Sequence, residues 1–524
     1  MSVSGPGFLS NQILMKYLFT FFPLLCFILC FGQKNDFNWL VSHDGLNTSH
    51  IDFKSSLPTV SLFQTIPISG TQATFSDYDG NLLFHTNGLQ IMNPLNQLME
   101  NGDSLNTGNI ADLFVSSGYP GFNSAFFITS PGDSTKLYLL HMFLKQASGA
   151  YIWQKLNYSL IDLNANNGLG KVIEKNIPLL EGNDQINFNH AGIVRHANGR
   201  DWWILVPDRM GPFYYRILLS KEGFTLFNPQ EIGFKTITID PSLYFGVNLF
   251  SSKGDKYADY AFRTGVQIFD FDRCTGLLSN PIKIDYDYQQ NQNSNNSASR
   301  VAFSPSGRYA YLTYAKDSGL ELVQYDLQAS DVFASEILIA DCPLPQTNLY
   351  ECSMSNLLLG PDNKIYVSAL IDTNAFHIIH QPDKVGQACD FEFGGFKFPM
   401  NHPRLEFPYF PNYRLYDLPG SPCDTLGIDA PPVAVTGEER ETSSVSVYPN
   451  PASHEVNLRQ DLPGSQPATL SLFSLTGQPV RHWQVAPGLH EQRFPTSGLP
   501  EGIYFWQLKT AVGTKGNGKL ILAK

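Results

Sequence analysis

A hairpin signal that recurs six times between Phe37 and Tyr416 limits what this chain can fold into more than any other feature. The turns are Asp77-Tyr78-Asp79-Gly80-Asn81, Ser130-Pro131-Gly132-Asp133, His196-Ala197-Asn198-Gly199-Arg200-Asp201, Ser251-Ser252-Lys253-Gly254-Asp255, Ser304-Pro305-Ser306-Gly307-Arg308 and Gly360-Pro361-Asp362-Asn363-Lys364. Each follows an apolar run and precedes an aromatic or aliphatic one. Gly or Asn at the centre tolerates the positive φ that tight hairpins need. The centres at 80, 132, 199, 254, 307 and 363 lie 52 to 67 residues apart. That is the spacing of four-stranded propeller blades with variable loops.

The second half of each unit agrees. Gly265-Val266-Gln267-Ile268-Phe269-Asp270-Phe271-Asp272, Leu320–Leu327 and Leu156–Leu163 each read as a strand ending at an Asp-capped turn. No stretch sustains a 3.6-residue apolar period, so helices are minor. The expected body is an all-β β-propeller with seven blades preferred and six or eight as alternatives. Phe37–Val41 and Val60–Phe63 at the front, with Leu405–Phe410 at the back, predict one blade completed from both termini. Such closure pairs the free strand edges.

Composition fits a turn-rich β protein: charged residues are only 16%, aromatics reach 13%, and there are 42 Gly and 34 Pro. A formal charge of −12 without a basic stripe excludes nucleic acid as a natural partner. At the N-terminus, Lys16 precedes an apolar run from Tyr17 to Phe31, too short and wrongly flanked to span a membrane. Cys30 and Gly32 occupy the −3 and −1 places of a cut before Gln33, which predicts a signal peptide over residues 1–32, with Met15 as an alternative start. Acylation of Cys30 is the competing reading, and Leu29 before it argues against that. No later stretch reads as a transmembrane segment. Export permits disulfides among the five remaining cysteines. Cys342 and Cys352 are close enough to staple one loop, and an odd count leaves one thiol free.

Residues 418–444 read as a linker, rich in Pro and Gly and ending in a charged run, Glu438-Glu439-Arg440-Glu441. Beyond it, Glu455–Leu458, Thr469–Phe473 and Ile503–Leu508 alternate apolar and polar residues, the period of strands with one buried face. Residues 445–524 thus predict a small Ig-like β-sandwich behind a propeller at 33–417. Its opening, Val447-Tyr448-Pro449-Asn450-Pro451, and its close, Leu499-Pro500-Glu501-Gly502-Ile503-Tyr504-Phe505 followed by Gly518-Lys519-Leu520, are distinctive. This pattern resembles the type A C-terminal sorting domain of the type IX secretion system of Bacteroidetes. The resemblance implies that Tyr448, Pro449, Asn450, Pro451, Gly502, Tyr504 and Lys519 form the sorting motif. It implies recognition by the type IX secretion machinery, export through the periplasm, proteolytic removal of the tail, and display on the cell surface or release. The body likewise resembles exported Bacteroidetes propellers, WD40-like without a regular WD signature.

Chemistry is harder to find. His190 and His196 sit six residues apart, about 20 Å along a strand, too far to share a metal ion. His377 and His380 are an odd number apart and point to opposite faces. Asp77-Tyr78-Asp79-Gly80-Asn81 begins like a calcium loop but lacks its later ligands, so turn geometry explains it better than calcium. Asp270 and Asp272 read as turn caps rather than as a glycosidase pair. No GxSxG, phosphate-cradling loop or dinucleotide fingerprint is present. Neither catalytic, metal nor cofactor-binding residues are assigned, and no cofactor is expected. Tyr151, Trp153, Trp202, Trp203, Tyr214 and Tyr215 are aromatics suited either to interblade core or to a face that stacks on sugars. The expected function is an exported binding, scaffold or adhesion protein with an extracellular protein or glycan ligand. The alternative is a propeller hydrolase or lyase acting on polysaccharide or peptide.

Overall fold

The computed structural model describes residues 33–42, 48–68, 70–121, 124–147, 150–182, 190–208, 212–234, 246–261, 265–284, 297–316, 319–343, 352–369, 373–402, 407–426, 445–460, 467–475, 477–486, 491–510 and 513–523. The expected signal peptide, Leu405–Glu406 and linker residues 427–444 lie outside the described residues.

Among the described residues the body forms seven antiparallel meanders. Sheet 1 holds Asn38–Ser42, Thr48–Asp52 and Thr59–Phe63, and sheet 2 holds Ala73–Ser76, Leu82–Thr86 and Ile91–Met92. Sheets 3 to 7 have four strands each and begin at Ala125–Thr129, Gly192–Arg195, Gly246–Phe250, Ser297–Phe303 and Leu357–Leu359. Each sheet touches the next, and sheet 7 touches sheet 1 through its outer strand. Trp202 of sheet 4 donates its indole N–H to Thr129 O of sheet 3 at 3.0 Å, which joins that pair. Radial sheets packed into a closed ring are the β-propeller architecture. Large aromatics fill the wedges between sheets: Trp39 and Trp202 are fully buried, and Tyr214 meets Phe269 edge-on at 5.3 Å.

Closure differs from the expectation. Sheet 1 is built from N-terminal residues alone, and Phe407–Phe410 is not a strand. Pro408 and Pro411 remove ladder donors there, and the segment uses its side chains instead. Phe407 and Phe410 pack on Trp39, with centroids 5.7 and 6.4 Å away. From Phe407 to Cys423 the chain is a strap across the hairpin-turn end of the ring.

The C-terminal module is a separate two-layer sandwich. One sheet pairs Val445–Tyr448, Glu455–Gln460 and Glu491–Pro495; the other orders Pro479–Val485, Ala468–Phe473, Gly502–Thr510 and Gly513–Leu522. Val456, Leu458, Leu470, Leu472, Leu508 and Leu520 close its core. The module rests on the ring. Tyr78 stacks on Phe473 at 5.8 Å with rings 6° apart, and meets Phe505 at 5.9 Å. Gly502 sits at φ 147°, where a Cβ would lie 2.6 Å from Asn164 Oδ1 of the ring. Alternation along the strands explains this split, since Leu472 faces the sandwich core while Phe473 faces the ring.

Candidate functional site at the strapped channel

The inner strands surround a channel whose hairpin-turn end the strap covers. A cavity of about 210 Å³ remains there, walled by Gly192, Asn248, Phe303, Leu358 and strap residues Tyr409 to Arg414. Each strap residue has a distinct anchor. Asn412 donates Nδ2 to the carbonyls of Ser251 and Ser252 at 2.9 and 2.7 Å. Tyr413, buried against Phe75 and Trp202, donates its hydroxyl to Phe127 O. Arg414 Nη2 pairs with Asp36 Oδ2 at 2.6 Å and Nη1 donates to Pro361 O at 3.2 Å.

Buried arginines lock the far end. Arg273 donates Nε to Arg195 O at 2.9 Å, and its Nη2 serves His196 O and Tyr416 O. Burial pushes Arg273 down to about 10, against the pull of the Asp417 and Asp255 carboxylates. Arg195 lies 3.8 Å from the Trp202 ring centroid and donates to Arg200 O and Gln33 Oε1; burial pushes it down to about 9. Cys274 and Cys423 form a disulfide that ties the strap to sheet 5. The segment from Leu418, expected as linker, is thus docked at its start: Leu418 N–H donates to Ala197 O at 2.8 Å. Two turn glycines permit this approach. A Cβ on Gly199 (φ 74°) would stand 2.5 Å from Asp417 N, and one on Gly254 (φ 68°) 2.7 Å from Leu415 Cδ1.

The charges at the channel are therefore largely spent on holding the strap. Among the described residues, Asp36 Oδ1 and Asn248 Oδ1 are buried acceptors that meet no donor, and both residues line the cavity. Asn248 Nδ2 is fixed on His190 O, which aligns its amide. A ligand offering N–H or O–H donors matches this wall better than an anion.

The sequence candidates fall as follows. His377 is buried, its Nε2 at 3.0 Å from Ser353 O, while His380 pairs with Glu392 at 2.8 Å on the solvent side. His196 is engaged in its own turn, Nδ1 accepting from Asn198 N–H, and His190 packs edge-on against Trp153 at 5.3 Å. Asp77 accepts the Asn81 backbone N–H on Oδ1 at 2.8 Å and the Asn81 amide on Oδ2 at 2.9 Å, and burial raises its pKa. Both oxygens serve the turn rather than calcium. Asp270 pairs with Lys256, and Asp272 caps Cys274 N–H and Thr275. Trp153, Trp202, Trp203 and Tyr214 are buried core, so they form no sugar-stacking face. Disulfide geometry also joins Cys342 to Cys352, with Cys389 a buried free thiol. Sequence reasoning missed the strap; its only trace was the Pro-flanked aromatic run Phe407-Pro408-Tyr409-Phe410-Pro411.

In the module, the Asn450 amide joins the opening segment to the closing strand. Asn450 donates Nδ2 to Lys519 O at 2.7 Å and accepts Ile521 N–H at 2.8 Å on Oδ1. The flanking Tyr448-Pro449 and Asn450-Pro451 peptides are cis. Ala452 then exchanges backbone bonds with Ile521 and Ala523, both at 2.7 Å. Tyr504 is buried and donates its hydroxyl to Pro500 O at 2.8 Å. Opening and close, far apart in sequence, are one structural unit.

No curated protein matches the chain. Among solved structures, it is similar to a putative 6-phosphogluconolactonase from Bacteroides uniformis, 12% identical, covering 71% of this chain and 99% of that one at a TM-score of 0.42. It is also similar to the periplasmic gluconolactonase PpgL of Pseudomonas aeruginosa (10% identity, 71% and 99% coverage, TM-score 0.36). The β-propeller domain of Cps50 from Myceliophteria thermophila is a third (12%, 66% and 92%, 0.36). Likenesses at these levels carry nothing about activity. Among the described residues no helix is long and apolar enough to cross a membrane. Residues 446–523 match the family described as a secretion system C-terminal sorting domain. The C-terminal sandwich is therefore a sorting domain of the type IX secretion system, which directs the propeller ahead of it to the cell surface or the medium.

Proposed function

We propose that the body is a binding or scaffold propeller, presented outside the cell after the sorting domain has been recognised and removed. The observation that carries this is the strap. It covers the turn end of the channel and ties Arg414, Arg273 and Asp417 into structure, leaving a donor-seeking cavity rather than a set of free acids and bases. Adhesion to a surface partner is the simplest use of such a ring.

The test has two parts. Deleting residues 445–524 traps the protein in the periplasm, and unchanged export of the truncated chain would sink the routing part. For the body, the exported chain is used as bait in a surface pull-down, where a stable partner or glycan supports the reading. A second reading, a hydrolase or lyase, draws on Asp36 Oδ1, which meets no donor among the described residues. Turnover of a glycan or peptide by the full chain, abolished in Asp36→Asn, would replace the scaffold reading.

A further inference from the structure

Sheet 3 carries a second cavity, away from the channel, of about 230 Å³. Its wall combines Phe143, Lys155, Asn157, Thr107 and the amide residues Asn106 and Asn176. Strand register explains the grouping. Phe143 pairs with Lys155 and His141 with Asn157 across one hairpin, so Lys155 and Asn157 share a face. On the outer side Asn157 pairs with Pro178, which has no N–H, between register shifts that open the ladder.

Most of the polar wall is fixed by the protein itself. Asn106 Oδ1 lies 2.7 Å from His141 Nδ1, and Asn176 Oδ1 accepts Asn106 N–H at 3.1 Å. Asn176 Nδ2 is held by Ser104 O at 3.0 Å. Lys155 Nζ is neutralised by Glu181 at 2.7 Å and stands 5.9 Å from the Phe143 ring centroid. Asn157 is the exception: it is 5% exposed, and its Oδ1 is buried with no donor among the described residues. An unpaired buried acceptor is rare in proteins and calls for a partner.

We propose that this cavity is a subsite for one neutral sugar ring. Phe143 offers an apolar face for ring C–H groups, Asn157 Oδ1 accepts a hydroxyl, and Lys155 and Thr107 supply hydrogen-bond donors beside it. An anion gains little, because Glu181 already neutralises Lys155, and the same neutral pair offers a cation no net attraction either. The volume admits a monosaccharide and falls below the usual span of larger ligand pockets. This deepens the binding reading above and rests on it, yet the two fail separately: sugar titration does not depend on a surface partner being captured.

The experiment titrates the full exported chain with the methyl glycosides of glucose, galactose and mannose and with N-acetylglucosamine, by saturation-transfer NMR and calorimetry. The expected result is binding of at least one with a Kd on the order of millimolar, weakened tenfold or more in Asn157→Leu. Phe143→Ala, a change at a half-buried position, must weaken it as well, which covers the case in which Asn157→Leu fails to fold. No binding by any of the four sugars, or undiminished binding in folded variants, would overturn the proposal and leave water as the partner of Asn157.

Discussion

The ring and the C-terminal sandwich are both antiparallel β, yet they are closed in different ways. The sandwich joins its two ends over a few neighbouring residues: Asn450 bonds Lys519 O and Ile521 N–H, and Ala452 exchanges backbone bonds with Ile521 and Ala523. The ring is closed by contact of sheet 7 with sheet 1 and by a strap anchored at Asp36 and on sheets 3, 4, 5 and 7, with no short motif among the anchors. Concentrated closure makes a module recognisable from a few positions. Distributed closure makes a ring robust to loop variation and silent about its ligand.

The largest expected effect separates the two bodies. Arg273→Ala leaves the carbonyls of Arg195, His196 and the strap's Tyr416, and the Asp417 carboxylate, without their buried cation, and costs the ring about 3–5 kcal/mol. Urea melts followed by ring tryptophans should shift while the sandwich transition stays in place. A common shift of both would show that they unfold as one body.

Acidification comes next. Burial pushes His85 and His141 down to about 3, from an ordinary value of 6.5. Below 6.5 the unfolded chain takes up protons that the folded ring refuses, so stability is full above that pH and falls as pH drops toward 3. Two such groups remove up to roughly 4 kcal/mol between pH 7 and pH 5. A urea midpoint of the ring that does not fall over that range would contradict the burial of both imidazoles.

Replacing Cys274 and Cys423 together by serine frees the strap's end. The bridge spans 149 residues, and its loss should cost about 2–4 kcal/mol, seen as a lower melting temperature of the ring. Asn450→Ala strikes the other body: two hydrogen bonds between opening and close vanish, at about 2 kcal/mol. That variant should melt early in the sandwich alone and leave the cell less efficiently. Full export with a destabilised sandwich would separate sorting from the Asn450 clasp.

The smallest effect tests the contact between the bodies. Tyr78→Ala removes the stack on Phe473 and Phe505, worth about 1 kcal/mol. Protease access to residues 427–444 and the scattering-derived dimensions should increase, with both melting transitions unmoved. No change in either would mean that the sandwich is held to the ring through Asn164, Gly168 and Ile503 rather than through Tyr78.

Much of this is legible in the sequence itself. The hairpin turns were readable because a turn is set by the four or five residues in it, as Asp77 and Asn81 show by bonding each other. His377 and His380 on opposite faces follow from strand alternation alone. The aromatic cluster was only half legible: periodicity cannot tell a wedge between sheets from a wall facing water, and Trp153, Trp202, Trp203 and Tyr214 all proved to be core. The strap was illegible. Tyr413 reaches Phe127 across 286 residues and Arg273 reaches Tyr416 across 143, and no local pattern encodes such a pairing.

By itself, the sequence determined that this is a chain of short antiparallel strands followed by a sorting address. Turn chemistry, strand period and the sorting motif all act over a few neighbouring residues. Only the tertiary structure decided how the ring is shut, which acceptors are left facing its cavities, and where the sandwich rests. Those outcomes depend on desolvation and on contacts between distant segments, which exist only once the chain has closed on itself.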